Sequence, residues 1–257
     1  MGQPDKINIT LNIWRQEGPQ ERGRFETISA EDVDPNMSFL EMLDALNEKL
    51  ILEDKEPIEF DNDCREGICG TCGAMVNGIP HGNGKGMTIC QLHMRAFNDG
   101  DTIVVEPFRA RAFKVIKDLI VNRGALDKII QAGGYISVDA GGTPDANAIP
   151  IAQETVEEAM DAAACVGCGA CVATCPNASA MLFVSAKVSQ LALLPQGRPE
   201  ATRRVVAMLK EMDNCGFGNC TNHRVCENAC PKEVSIRHIA RFNREFLKAA
   251  LFAKADK

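Results

Sequence analysis

The sequence of 257 residues predicts an α+β protein of two domains, a small mixed sheet packed on one helix followed by a helical domain. Three observations predict it. Residues Lys6 to Trp14 place Ile7, Ile9, Leu11 and Ile13 at alternate positions, the period of a half-buried strand. Beyond Pro107 that alternation stops, and helical periods take over in segments such as Phe113 to Asn122 and Ala201 to Met212. The chain is also longer than the usual single domain of roughly 100–150 residues. The expected division is 1–110 and 111–257.

After the first strand, Gly23 to Ile28 supplies a hairpin partner. Ser38 then opens a helix through Leu50, with Glu41 three residues on forming a capping box. A cysteine loop at 64–72 follows, then a short strand Ala74 to Val76 closed by the Asn77-Gly78 turn, and a last strand Thr102 to Glu106. Gly133 to Pro150 is turn-rich and reads as an ordered wrapping loop. Thr155 with Glu158 predicts a second capping box, starting a helix that leads into more cysteines. Ser235 opens a final amphipathic helix with Ile236, Ile239, Phe246, Leu247 and Ala250 on one face.

Composition narrows the function. Hydrophobic residues at 45% and charged residues at 25% are those of a soluble globular chain, and no run of about 18 apolar residues is present to span a bilayer. The N-terminus shows neither a secretory leader nor a twin-arginine signal, so a cytoplasmic location is expected. A formal charge of −7 argues against nucleic-acid binding, which needs a basic face. The balance is uneven, however: Lys232 to Lys257 is locally basic, with seven Lys/Arg against three Asp/Glu, and a solvated helix face explains this more simply than an anionic lipid or partner surface. Twelve cysteines are the outlying number, and in a reducing compartment they point to metal ligation rather than disulfides.

Their spacing forms three groups. Cys64, Cys69 and Cys72, with Cys90 further on, follow the plant-type C-x4-C-x2-C…C pattern of a 2Fe-2S cluster, in a loop where Gly67, Gly70 and Gly73 relieve backbone strain. Structural zinc sites favour short paired C-x2-C spacings instead. Cys165, Cys168, Cys171 and Cys175, followed by Pro176, form the bacterial ferredoxin run C-x2-C-x2-C-x3-C-P, whose last cysteine ligates the other cluster. The third group carries Cys215, Cys220, Cys226 and Cys230-Pro231; aligned on its C-P, the position of one ligand is occupied by His223. One iron then lacks a protein sulfur, which predicts a three-iron cluster. Crossed ligation assigns Cys165, Cys168, Cys171 and Cys230 to a 4Fe-4S cluster and Cys175, Cys220 and Cys226 to a 3Fe-4S cluster. Cys215 is left over and reads as a packed free thiol. For His223, a place beside the cluster or at the surface is the simpler reading than iron ligation.

The segments CREGICGTCG, CVGCGACVATCP and CTNHRVCENACPKEV together resemble the iron–sulfur subunit of succinate dehydrogenase and fumarate reductase over nearly the whole chain. The resemblance implies a β-grasp N-terminal domain and an α-helical ferredoxin C-terminal domain. It implies a flavoprotein partner carrying FAD, facing the N-terminal domain, and a membrane-anchor subunit, with or without heme b, at the 3Fe-4S end. The implied role is electron relay between FAD and a membrane quinone, with the chain held peripherally on the cytoplasmic face of the inner (plasma) membrane. No dinucleotide motif or dicarboxylate site is visible on this chain, so no catalytic residue is assigned to it.

The quinone end departs from the family. Many members carry a tryptophan shortly after the first C-P, where this chain has Asn177, Ala178, Ser179 and Ala180; its only tryptophan is Trp14. Many also have histidine where this chain has Thr221. The usual quinone contacts are therefore not carried over, and menaquinone is the guess for the quinone. The alternatives are the fumarate-reducing direction, a soluble multi-cluster carrier, and a thiol-coupled fumarate reductase, which would bring further cysteine-rich segments of another type.

Overall fold

A computed structural model describes residues 5–139, 142, 145 and 151–252. The N-terminal alternation forms β1 (Ile7–Arg15), with Ile7, Ile9, Leu11 and Ile13 buried. It pairs antiparallel with β2 (Arg24–Val33), which runs five residues beyond the expected Ile28. Ser38 caps α1 (Phe39–Leu52): its Oγ accepts from the Glu41 N–H at 3.2 Å, and its own N–H donates to the Glu41 carboxylate at 2.6 Å. This helix lays Phe39, Leu40, Met42, Leu43, Leu46 and Leu50 on the sheet. β3 (Ala74–Val76) and β4 (Ile79–Pro80) form a hairpin whose turn residues Asn77 and Gly78 both have positive φ. β5 (Thr102–Pro107) lies parallel to β1, giving the order β2-β1-β5-β3-β4. A mixed sheet closed by one helix is the β-grasp arrangement expected.

The helix predicted over Phe113 to Asn122 does not form. The segment is a hairpin of β6 (Val115–Lys117) and β7 (Ile120–Val121). Asp118 turns it with φ 41°, and its buried carboxylate accepts the N–H groups of Gln16 at 2.8 Å and Glu59 at 3.0 Å. A β-branched sequence and a turn whose carboxylate satisfies two backbone donors of the first domain override the apparent helical period. The hairpin straddles two cores: Leu119 packs with the sheet, while Phe113, Val115 and Val121 pack with the helices.

The second layer comprises α2 (Gly124–Gly133), α3 (Gln153–Ala163), one-turn α4 (Ala170–Ala173), α5 (Met181–Leu193), α6 (Ala201–Asn214), one-turn α7 (Val225–Asn228) and α8 (Arg237–Phe252). α5 is buried almost all round, so no apolar stripe marks it in the sequence. The capping box expected at Thr155 is absent: α3 begins at Gln153, Thr155 lies inside its first turn, and no side chain caps it. α8 begins two residues after Ser235, and its buried face is His238, Ile239, Phe242 and Ala249. Phe246, Leu247 and Ala250, expected on that face, are exposed; Leu247 is 61% accessible. Arg237 and Arg241 of the basic segment pair with Asp161 and Glu158 of α3 at 3.2 and 2.9 Å. Among the described residues no helix is long and apolar enough to cross a membrane.

Much of the expected loop at 133–150 lies outside the described residues, but its start is anchored. Buried Arg204 donates to the carbonyls of Gly133 (2.8 Å), Tyr135 (3.1 Å) and Gly197 (2.8 Å) and pairs with Glu200 at 3.3 Å. Glu200 also accepts from the Ser137 hydroxyl and N–H and from Arg203, and the Ser137 hydroxyl foremost holds its carboxyl down to about 2. Arg204→Met takes this donor from the Gly133, Tyr135 and Gly197 carbonyls and should cost about 3–5 kcal/mol in urea unfolding followed by circular dichroism.

Candidate metal centres

The loop at 64–72 wraps one sulfur in backbone donors. The N–H groups of Cys69 (3.3 Å), Glu66 (3.4 Å) and Ile68 (3.4 Å) all point at Cys64 Sγ, and that of Thr71 points at Cys69 Sγ at 3.4 Å. These donors, led by Cys69, pull the Cys64 thiol down to about 6, so the geometry is built for a thiolate. They come from residues flanking the glycines rather than from the glycines themselves. Gly67 and Gly70 supply the positive φ that turns the N–H groups inward, whereas Gly73 is small because a Cβ there would lie 2.6 Å from the Phe108 ring. Cys72 and Cys90 are buried neighbours, and burial pushes Cys72 up to about 12. The Thr88 hydroxyl lies 3.1 Å from Cys90 Sγ.

The sequence did not single out His81. It is buried one residue beyond β4, where its Nδ1 accepts the Ile89 N–H at 3.3 Å and its ring stands edge-on to Phe108. Burial lowers its pKa to about 4, so it is neutral beside the Cys90 segment. A lone histidine carries no local signal of such a place.

Seven of the remaining eight cysteines divide between two cavities. Cys165, Cys168, Cys171 and Cys230 line one, together with Phe183, Leu182 and Val234. Cys175, Cys220 and Cys226 line the other, with the exposed Thr221 and His223 at its rim. The crossing follows from loop packing. Asn177, just after Cys175-Pro176, donates to the Asn219 carbonyl at 2.9 Å and the Thr221 hydroxyl at 2.8 Å, and Gly218 N–H donates to the Ala178 carbonyl. A Cβ on Gly218 would sit 1.9 Å from the Asn177 carbonyl oxygen, so only glycine lets Cys175 and Cys220 meet.

Burial raises the thiols of Cys165, Cys168 and Cys171, that of Cys168 to about 12, and the neighbouring Cys230 sulfur adds to the rise of all three. Burial likewise raises Cys226, next to Cys220 and Cys175. Such thiols release their protons only to a strongly cationic centre, and a soft-sulfur donor set of this kind fits iron–sulfur clusters. Cys215 is in neither cavity; it ends α6, its Sγ 3.7 Å from the Ala125 carbonyl oxygen. His223 is exposed at the rim of the second cavity. Trp14 lies in the first domain, edge-on to Phe25 with the Arg109 guanidinium 4.0 Å over its ring.

Comparison with known proteins finds cluster-binding domains in both halves of the chain. A 2Fe-2S iron-sulfur cluster binding domain matches residues 10–128, and a 4Fe-4S dicluster domain matches residues 164–234. The chain is 29% identical over 201 residues to the succinate dehydrogenase iron-sulfur subunit of Bacillus subtilis, covering 75% of this chain and 74% of that one. It is 28% identical over 240 residues to the fumarate reductase iron-sulfur subunit of Wolinella succinogenes, covering 89% and 92%. Among solved structures, a chain of the Mycobacterium smegmatis Sdh1 complex in the apo form superposes with a TM-score of 0.60 at 16% identity, covering 95% of this chain and 97% of that one, which shows a shared fold. With its sheet domain, its helical domain and its thiol-lined cavities, the chain carries a 2Fe-2S and a 4Fe-4S dicluster domain and is similar over most of its length to the iron–sulfur subunits of succinate dehydrogenases and fumarate reductases, and its role is electron transfer.

Proposed function

We propose that this chain relays electrons between an FAD-bearing flavoprotein and a membrane quinone in a succinate:quinone oxidoreductase. Cys64, Cys69, Cys72 and Cys90 hold a 2Fe-2S cluster; Cys165, Cys168, Cys171 and Cys230 a 4Fe-4S cluster; Cys175, Cys220 and Cys226 a 3Fe-4S cluster. The observation that carries this is the division of the C-terminal thiols into two cavities, each taking cysteines from both ferredoxin-type groups. Clusters bound there supply one-electron transfer, which matches a two-electron flavin to stepwise delivery over distance.

The chain's own residues position and tune. Backbone N–H groups at Cys64 stabilise negative charge and favour the reduced state. Phe183, Leu182 and Val234 keep water from the four-cysteine cavity. The third centre holds three irons because His223, exposed at its rim, replaces the fourth thiolate. A surface cavity lined by Met181, Cys220, Arg224, Ile236 and Ile239 adjoins that centre, which supports placing the anchor, with or without heme b, and the quinone, menaquinone in the first instance, on this side. The flavoprotein then meets the N-terminal domain, the domains divide at 110/111, and the complex sits on the cytoplasmic face of the membrane.

Purification of the native complex, EPR of the oxidised and reduced states, and assays of succinate oxidation and fumarate reduction with ubiquinone and menaquinone analogues test this. The expected result is a co-purifying flavoprotein, an oxidised-state three-iron signal and activity in at least one direction. A chain that purifies alone, or a fully iron-loaded one with no three-iron signal, would refute it. Both B. subtilis and W. succinogenes relatives align well, so the assay decides the direction.

A further inference from the structure

The two cluster loops that belong to different domains touch directly. A Cβ placed on Gly70, in the 64–72 loop, would lie 2.8 Å from Val166 Cγ2, 2.9 Å from the Val166 carbonyl oxygen and 3.1 Å from Cys168 Cβ. One side chain spans this seam. Arg123 follows β7 at the N-terminal end of α2, with its side chain only 20% accessible. Its Nη1 donates to the Gly70 carbonyl at 2.6 Å and the Cys168 carbonyl at 3.2 Å, and its Nη2 donates to the Thr71 carbonyl at 3.0 Å. Among the described residues, Asp61 is the one carboxylate paired with it, its Oδ2 at 3.9 Å. The fork therefore takes two acceptors from the first loop and one, the backbone of a proposed cluster ligand, from the second.

We propose that Arg123 is the positioning residue of the junction between the first two centres, holding their loops at fixed separation and acting as a cation common to both. The proposal rests on the ligand assignment above. Electron tunnelling falls exponentially with separation, so a clamp on the loops sets the rate at this junction. The guanidinium is planar, permanently charged and carries five donors in a rigid fork, which lets one group satisfy three carbonyls in two domains. Thiolate-ligated clusters are anionic and become more so on reduction, so a half-buried cation beside both favours their reduced states. Because its partners here are mostly neutral carbonyls, most of its charge is left to act on the clusters.

The test uses the full chain with clusters loaded, as Arg123→Gln and Arg123→Lys. Two quantities are read: the midpoint of the reduced 2Fe-2S EPR signal in a redox titration, and its magnetic broadening by the reduced 4Fe-4S cluster. In R123Q the equilibrium for reduction should fall about 10-fold, which is about 59 mV for a one-electron couple, and the broadening should weaken. R123K should restore the midpoint, having the charge, but not the broadening, lacking the fork. Unchanged broadening in loaded R123Q overturns the proposal; where R123Q fails to load, unchanged broadening in R123K does so. A wild-type chain with no iron–sulfur signals refutes the ligand assignment instead, so the two failures are distinguishable.

Discussion

Cys230→Ala is expected to abolish the four-iron cluster while leaving the three-iron signal in place, although Cys230 belongs to the last cysteine group. Its thiol shares a cavity with Cys165, Cys168 and Cys171, whereas the sequence neighbours Cys220 and Cys226 share one with Cys175. Iron should fall by about four atoms per chain, with loss of the reduced four-iron EPR signal. Cys175→Ala is the reciprocal variant and should remove the oxidised-state three-iron signal while sparing the four-iron cluster. Were ligation uncrossed, Cys175→Ala would strip the four-iron cluster and Cys230→Ala the three-iron one. The pair of variants therefore decides the topology even if one of them folds poorly.

His223→Cys should convert the third centre to four irons. Position 223 restores the C-x2-C-x2-C spacing of Cys220 and Cys226, and the residue already stands at the cavity rim. Asn222 and Arg224 on either side have positive φ, so the loop is already turned tightly there. The oxidised-state EPR signal should drop to below about a tenth, with iron rising by about one atom per chain. A retained three-iron signal at full loading would mean that the cavity, not the missing thiolate, excludes the fourth iron.

The elements that could be read in advance were those whose information is local. Strict alternation in Ile7 to Ile13, the Ser38–Glu41 capping box and the Asn77-Gly78 turn each place their cause within a few residues, and all three formed. The Phe113 to Asn122 segment failed because its hairpin depends on Asp118 reaching the backbone of Gln16 and Glu59, far away in the chain. Thr155 failed because a matching i, i+3 pair does not itself say where a helix begins. On α8, periodicity identified the helix but not its buried face, because which flank is covered depends on how α8 packs on α5 and α6.

Cysteine spacing by itself determined that the chain holds iron–sulfur clusters in two kinds of domain, because ligand number and loop length are chemical constraints written locally. The same spacing already grouped the thiols across the two ferredoxin-type runs, whereas the packing that lets them meet, and the residues that join the two domains, were decided only by tertiary structure. The meeting of Cys175 with Cys220 depends on Gly218 packing against the Asn177 carbonyl, and the seam between the cluster loops depends on Gly70 and Arg123. Those contacts join residues distant in sequence, and close packing, unlike ligand spacing, leaves no periodic trace along the chain.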